Sequence, residues 1–145
     1  MDEIRECGTL RVGTALNIPW AMRTNDGELF GFEVDNASKL ATELSGDLDL
    51  VEMPFAELIP SLQEGEIDVI AAGMSVTPGR ALEVAFSTPY MTSTVGAVVR
   101  VSDLSDRPDV IAFNDADVTI AAAAGTTTEI AAIQARRTGL SHVFE

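Results

Sequence analysis

The sequence predicts an α/β fold in which a mostly parallel sheet is flanked by helices. Strand and helix patterns alternate over the first two-thirds of the 145 residues, an order typical of parallel sheets with right-handed crossovers. The third strand pattern, residues 67–72, is apolar enough to be buried on both faces. Hydrophobic residues make up 46% and charged residues 22% of the chain, a balance that indicates a folded domain.

The chain begins with a strand pattern, a turn and a helix pattern. Residues 9–14 predict the first strand, and the Asn-Asp-Gly sequence at 25–27 predicts a turn. Apolar residues recur at helical spacing between positions 34 and 44, and Gly46 is expected to end that helix.

A second strand and a second helix follow before the apolar run at 67–72. Residues 48–53 predict the strand, and residues 56–64 predict a short helix that ends at Gly65. Thr77 before Pro78 predicts a further helix start, because threonine is a common N-cap and proline fits the first helical position.

We place the boundary between two lobes at a valine-rich strand pattern, residues 95–101. Residues 1–94 then form the first lobe, and residues 95–145 form a hinge strand and part of a second lobe. The second lobe is predicted to contain a strand, a helix and a further strand, at residues 118–122, 129–137 and 142–144.

Charge and composition exclude several functions. The net charge is −14, which disfavours nucleic acids and anionic membranes as partners. One cysteine and one histidine form neither a disulfide nor a usual zinc site, and no dinucleotide-binding glycine pattern occurs. We therefore expect no metal, no cofactor and no catalytic residues. The first residues lack a basic and then apolar segment, so no secretion signal is expected in this sequence.

Polar groups follow the third strand, where ligands of parallel sheets bind. Residues 73–80 supply the hydroxyl of Ser75, free backbone groups and the guanidinium of Arg80. A free amino acid requires such groups, because its carboxylate favours an arginine and its ammonium favours oxygen atoms. The alternative is that Arg80 is a solvated surface residue and Ser75 a turn residue.

Three other features adjoin the same predicted edge or open a helix. Phe55 is either a pocket wall or a core residue, whereas Trp20, beside a proline, is better explained as core. Thr126 and Thr127 precede a helix pattern, where exposed N–H groups attract anions, although threonine is also a common N-cap.

Several motifs in this order resemble those of bacterial extracytoplasmic solute-binding proteins for polar amino acids. They are GFEVD at residues 31–35, LIPSLQEGEID at 58–68, GMSVTPGR at 73–80 and FSTPY at 86–90. The similarity extends over residues 8–100 and, more loosely, over 125–129.

The resemblance implies the type II fold of periplasmic binding proteins, in which two α/β lobes close on a ligand through a hinge. It implies a periplasmic or extracytoplasmic binding protein, and not an enzyme, that delivers an amino acid to the membrane permease of an ABC transporter. By position, Arg80 would bind the ligand carboxylate, and Ser75 and the Gly73 carbonyl would contact the ammonium. Phe55 would pack on the ligand side chain.

The remaining positions implied by the resemblance set the identity of the ligand. Thr126 and Thr127 would contact the carboxylate across the cleft. Asn17 stands where many members have a stacking aromatic residue, Thr14 where many have an acid, and Ala123 where a polar or basic residue is frequent. These differences leave open which amino acid binds.

Two alternatives share this fold: a dehydratase that acts on a cyclic prephenate-like acid, and the sensor domain of a receptor. Members of the family are longer than this chain, so the resemblance implies a carboxy-terminally truncated member with only a partial second lobe. We therefore expect a homodimer in which each chain supplies the part of the fold that the other chain lacks. Ligand affinity should be weak, because only half of the cleft is held rigidly.

Overall fold

A computed structural model of the chain describes residues 8–100 and 118–135. The chain divides into two compact units, Met1–Thr88 and Pro89–Glu145. The first unit has a parallel sheet with helices against it, which is the predicted fold class. The predicted lobe boundary between residues 94 and 95 stays a prediction.

The sheet contains three parallel strands in the order β4, β1, β5. The central strand β1 (Thr9–Thr14) pairs along its whole length with β4 (Asp47–Glu52), and over two residues with β5 (Val69–Ile70). The first strand has the predicted bounds, and the second begins and ends one residue earlier than predicted.

The third strand is shorter than the apolar run that predicted it. On either side of β5, the Asp68 N–H donates to the Arg11 carbonyl and the Ala71 N–H donates to the Gly13 carbonyl. The run is therefore extended along β1. In the part of the chain that the structure describes, no strand pairs with its other edge.

A short antiparallel hairpin, β2 (Met22–Arg23) and β3 (Leu29–Phe30), lies between β1 and the first helix. The predicted turn connects its strands, and the Gly27 N–H donates to the Thr24 carbonyl at 3.0 Å. Gly31 follows at φ 136°, where a Cβ atom would lie 2.6 Å from the Trp20 carbonyl oxygen. Only glycine fits this close approach.

Helix α1 (Phe32–Glu43) ends before Gly46, as predicted. Ser45, and not Gly46, adopts the left-handed conformation, at φ 58°. The Gly46 N–H donates to the Ala41 carbonyl, a hydrogen bond of the Schellman motif. Gly46 instead permits a close approach, because a Cβ atom there would lie 3.2 Å from the Gly8 carbonyl oxygen.

The second helix ends where predicted but begins two residues later than the predicted residue 56, and the third helix begins where predicted. A 3₁₀ turn (Phe55–Glu57) leads into α2 (Leu58–Glu64), which Gly65 ends in the left-handed conformation at φ 75°. The single helical turn α3 (Pro78–Ala81) begins after the N-cap Thr77.

The helices cover both faces of the sheet, as the apolar third strand predicts. On one face, Leu10 and Val12 of β1 form a buried cluster with Ala37 and Ala41 of α1. On the other face, a second buried cluster includes one residue of α2 and three residues that flank the strands: Leu58, Ala15, Ile67 and Ala72. Burial of these side chains fixes the sheet and its C-terminal edge.

The described residues of the second unit contain one helix, α4 (Thr127–Ala135), near the predicted residues 129–137. The strands predicted at 95–101 and 118–122 are wrong for the residues described, which form no strand there. Valine and isoleucine favour strands, but a strand also requires a neighbour to bond its backbone, and no described residue provides one there. The strand predicted at 142–144 lies outside the described residues. None of the described helices is long and apolar enough to cross a membrane.

Candidate functional site

The three parallel strands end at one edge of the sheet, at Thr14, Glu52 and Ile70. The segments that follow them contain Asn17, Phe55 and the loop that leads to α3. Because ligands of open α/β sheets bind beyond the C-terminal ends of the strands, this edge is the candidate binding site of the first unit.

Arg80 is buried at this edge, with only 9% of its surface exposed. Its backbone N–H donates to the hydroxyl of the N-cap Thr77 at 3.3 Å, which places the side chain at the start of α3. Its Nη1 atom donates to the Ser75 carbonyl at 2.8 Å. A solvated surface arginine, the alternative interpretation, does not describe this side chain.

The Arg80 guanidinium also lies over the Phe55 ring, with 5.2 Å between Cζ and the ring centroid. Attraction between a cation and an aromatic face increases when water is excluded. Burial lowers the pKa of Arg80 below its usual value. A guanidinium has five N–H donors in a planar fork, so the bond to Ser75 is compatible with a two-point contact to a carboxylate.

Phe55 connects the core of the first unit to the candidate site. The half-buried ring packs against the buried cluster that contains Leu58 and Ile67, and it also supports Arg80. The two interpretations of Phe55, a pocket wall and a core residue, are therefore not exclusive.

Gly73 adopts the left-handed conformation at φ 62°, three residues after the end of β5. Its N–H donates to Oε1 of Glu33 at 2.8 Å. A Cβ atom at this position would lie 3.0 Å from the Trp20 ring. Both the backbone angle and the contact with Trp20 therefore favour glycine here.

Glu33 is a residue of the site that sequence reasoning missed. It is the second residue of α1 and is buried, with 1% of its surface exposed. Its backbone N–H donates to the Trp20 carbonyl at 2.9 Å. One signal could have found it: Glu33 stands four residues before Ala37 and eight before Ala41, so it shares the buried face of the helix.

Trp20, predicted to be a core residue, is partly buried and contacts both α1 and the site. Its ring meets Phe32 edge to face, with 5.8 Å between the centroids. The Trp20 carbonyl, Glu33 and Gly73 form a connected group, because each is joined to the next by a hydrogen bond or a close packing contact.

Thr14 and Asn17 lie at the end of β1 and in the loop after it. Thr14 is 1% exposed, and none of the described residues forms a hydrogen bond with its Oγ1. Asn17 is exposed, and its backbone closes a turn with Ala21. The buried hydroxyl of Thr14 is therefore a polar group near the site edge that no described residue satisfies.

Thr126 and Thr127 belong to the second unit, at the start of α4. The Thr126 hydroxyl accepts a hydrogen bond from the Glu129 N–H at 3.3 Å and donates to the Ala123 carbonyl at 2.7 Å. The Glu129 carboxylate accepts from the Gly125 N–H at 2.8 Å. This pattern is close to a capping box, so Thr126 has a structural role at the helix start.

The structure thus brings together two groups of residues in the first unit. Arg80, Ser75 and Phe55 form one, and Gly73, Glu33 and Trp20 form the other. Over residues 8–100 and 118–135, no group of histidine, cysteine and acidic side chains could hold a metal ion.

A family model described as bacterial extracellular solute-binding proteins, family 3, matches residues 10–138. The octopine-binding periplasmic protein of Rhizobium meliloti is 41% identical over 91 residues, 62% of this chain and 31% of the relative. The arginine-binding periplasmic protein of Mannheimia haemolytica is 33% identical over 82 residues, 57% of this chain and 35% of the relative. The matches span about a third of the length of these relatives.

Two solved structures are similar in fold and sequence. An ancestral amino acid-binding protein, described as a precursor of cyclohexadienyl dehydratase, has a TM-score of 0.92 and 35% identity, over 99% of this chain and 63% of its own. The arginine-bound form of domain 1 of TmArgBP has a TM-score of 0.61 and 44% identity, over 62% of this chain and 72% of its own.

Proposed function

This chain belongs to family 3 of the bacterial extracellular solute-binding proteins, and we propose that it binds a free amino acid as the substrate-binding component of an ABC importer. The observation that carries this proposal is the buried Arg80, held by the Ser75 carbonyl and the Phe55 ring at the ligand edge of the sheet. A buried, oriented guanidinium is suited to bind a carboxylate.

The ligand contacts follow from this arrangement. Arg80 binds the α-carboxylate, while the Ser75 hydroxyl and the Gly73 carbonyl bind the α-ammonium. Phe55 lines the pocket beside the ligand side chain, and Thr14 contributes its buried hydroxyl. Asn17 adds a polar contact from the loop after β1.

Two residues of the second unit are also ligand-binding residues in this proposal. Thr126 and Thr127 bind the carboxylate through their hydroxyl and backbone groups. The proposed boundary between the lobes lies between residues 94 and 95.

The similar proteins support an amino acid as the ligand. One curated relative is named for arginine, and the solved domain 1 of TmArgBP is described as arginine-bound. That domain covers 62% of this chain, which supports the proposal that the first lobe binds ligand by itself. L-Arginine is therefore the first ligand to test.

We place the protein outside the cytoplasm, and its receiving partner is a membrane permease of an ABC transporter. The periplasmic names of the relatives support this location. No nucleic acid, metal or cofactor is part of the proposed function. The net charge of −14 disfavours binding to the phosphate backbone of a nucleic acid.

A second candidate function is a dehydratase, because one similar structure is described as the precursor of cyclohexadienyl dehydratase. Dehydration requires a general acid, whereas the groups proposed here to contact the ligand are a guanidinium, hydroxyls and a backbone carbonyl. We therefore favour binding over catalysis. Prephenate mixed with the protein separates the two functions: a dehydratase releases water and carbon dioxide and makes the ring aromatic, so aromatic absorbance rises over time, whereas a binding protein leaves the spectrum unchanged.

Association of two copies of the chain completes the proposal. Several large apolar side chains at the end of the first unit and the start of the second are exposed, including Leu82, Tyr90, Met91 and Val98. Large apolar side chains exposed to solvent are consistent with association of copies of the chain. Light scattering at micromolar concentration should give the mass of a dimer, and a stable monomer would exclude this part of the proposal.

A thermal-shift screen with the common L-amino acids tests the function. A ligand at about 100 times its dissociation constant stabilises the native state by about 2.7 kcal/mol, which raises the melting temperature by several degrees. One amino acid or a few similar ones should give such a shift. No shift with any amino acid would contradict the proposed function.

A further inference from the structure

Glu33 is a buried carboxylate for which the proposed ligand contacts give no role. It is 1% exposed, and it lies on the face of α1 that also buries Ala37 and Ala41. Burial of an ionisable group is costly unless hydrogen bonds compensate it, so a buried acid on an otherwise apolar helix face requires an explanation.

The carboxylate meets the backbone of the candidate site. Oε1 of Glu33 accepts a hydrogen bond from the Gly73 N–H at 2.8 Å, across 40 positions of sequence. A bond from an N–H group to a carboxylate is shorter and stronger than one between neutral groups. Glu33 therefore holds Gly73 firmly, although it belongs to a different element.

Gly73 is the point at which the chain turns away from the third strand. Its φ of 62° is left-handed, and the Trp20 ring packs where a side chain would be. The direction of the next peptide, which contains the Gly73 carbonyl, depends on this angle and on ψ. A fixed N–H together with a restricted φ therefore removes one of the two rotations that set the direction of the carbonyl.

We infer that Glu33 is a positioning residue for the ligand ammonium: it holds Gly73 so that the Gly73 carbonyl accepts a hydrogen bond from that group. The inference rests on the proposed function and narrows its ligand class. Because a charged ammonium bonds a carbonyl more strongly than a neutral hydroxyl does, the site should select α-amino acids over 2-hydroxy acids.

The test compares two probes, L-arginine and its 2-hydroxy analogue argininic acid, by calorimetry on the whole chain. Glu33→Asp keeps the charge but is one methylene too short to reach Gly73. It should lower the affinity for L-arginine by about tenfold and the affinity for argininic acid by less than about twofold. Glu33→Gln keeps an oxygen acceptor for the Gly73 N–H and should retain most of the selectivity.

Glu64→Asp is the matched control, because Glu64 is an exposed acid at the end of α2. It should change neither affinity. If Glu33→Asp lowered the affinity for both probes equally, Glu33 would have a role in folding only, and the inference would be overturned. Failure of Glu33→Gln to retain selectivity would also overturn it, since charge and not the hydrogen bond would then matter.

A measurement without substitution covers the case in which Glu33→Asp does not fold. The Gly73 amide proton of the unaltered protein should exchange slowly with solvent and should shift more with L-arginine than with argininic acid. Rapid exchange, or equal shifts, would contradict the inference. If the unaltered protein binds an amino acid but does not prefer that amino acid over its 2-hydroxy analogue, only this inference fails. If it binds no amino acid, the proposed function fails with it.

Discussion

The guanidinium of Arg80 lies over the ring of Phe55, with 5.2 Å between Cζ and the ring centroid. Arg80 lies in α3, which follows β5, and Phe55 lies in the 3₁₀ turn that follows β4. Phe55 also packs on the core. Its contact with Arg80 therefore holds the guanidinium in place at the candidate binding edge of the sheet. The predictions about binding follow from this pair and its neighbours.

Arg80→Lys should lower the affinity for an amino acid about a hundredfold, because lysine keeps the charge but loses the planar fork that binds a carboxylate at two points. Calorimetry measures the change. Arg11→Lys is the matched control, since Arg11 binds Asp68 and the Gly65 carbonyl, away from the site. The assignment of Arg80 to the carboxylate would be wrong if Arg80→Lys left the affinity for the amino acid unchanged, or if Arg11→Lys lowered that affinity as much.

Phe55→Leu should weaken ligand binding while the protein stays folded. Leucine keeps most of the apolar contact, at a cost typically below about 1.5 kcal/mol of stability, but has no aromatic face for Arg80. The loss of that face, about 0.5–1 kcal/mol, should reduce affinity by about two- to fivefold. Phe30→Leu in the hairpin is the control. A large drop in melting temperature with normal binding by the folded fraction would make Phe55 a core residue only.

Thr14→Val should leave the stability unchanged or raise it. No described residue bonds the buried Thr14 hydroxyl, and a buried unpaired polar group costs about 1–3 kcal/mol. If the ligand bonds this hydroxyl, affinity should fall by about three- to tenfold, the equivalent of one neutral hydrogen bond of about 0.5–1.5 kcal/mol. Chemical denaturation and calorimetry on the same samples separate the two effects. Reduced stability with unchanged affinity would contradict a ligand contact at Thr14.

Asp68→Asn should reduce stability at neutral pH by about 1 kcal/mol, allowing for the solvent exposure of the pair. Arg11 donates to both carboxylate oxygens of Asp68, at 2.6 and 3.1 Å from its side chain and 2.9 Å from its backbone. These hydrogen bonds hold the pKa of Asp68 below its usual value.

The sign of the pH dependence follows from that direction. The unfolded chain binds the proton of Asp68 more readily than the folded protein, so the stabilisation is present above the unfolded pKa and is lost as the pH falls below about 4. Urea denaturation of the two proteins should therefore give a difference in free energy of unfolding at pH 7 that shrinks toward pH 3. A difference independent of pH would contradict this role of the Asp68 charge.

Local patterns predicted the parts of the fold that depend on local chemistry. Gly65 ends α2 because a glycine adopts the left-handed angle without strain, and Thr77 caps α3 because its hydroxyl accepts a hydrogen bond from the Arg80 N–H. The position of Arg80 after the third strand also indicated a site residue, and its burial supports that interpretation.

The features that the sequence did not predict depend on distant partners. Glu33 shares the buried helix face of Ala37 and Ala41, but no periodicity reports that Gly73, 40 positions later, donates a hydrogen bond to it. Residues 95–100 have strand-forming side chains, yet they form no strand, because β propensity is effective only where another strand bonds the backbone. Gly46 was expected to end α1, but it is Ser45 that takes the left-handed angle, and the approach of the Gly8 carbonyl favours glycine at position 46.

The most direct test of the account is a calorimetric comparison of the amino acid that gives the largest thermal shift with the amine that remains when its carboxylate is removed. For L-arginine, that amine is agmatine. If Arg80 binds the carboxylate, the amino acid should bind at one site per chain and at least about a hundredfold more tightly than the amine. Equal affinities for the two compounds would contradict a carboxylate site at Arg80 and with it the proposed amino-acid binding.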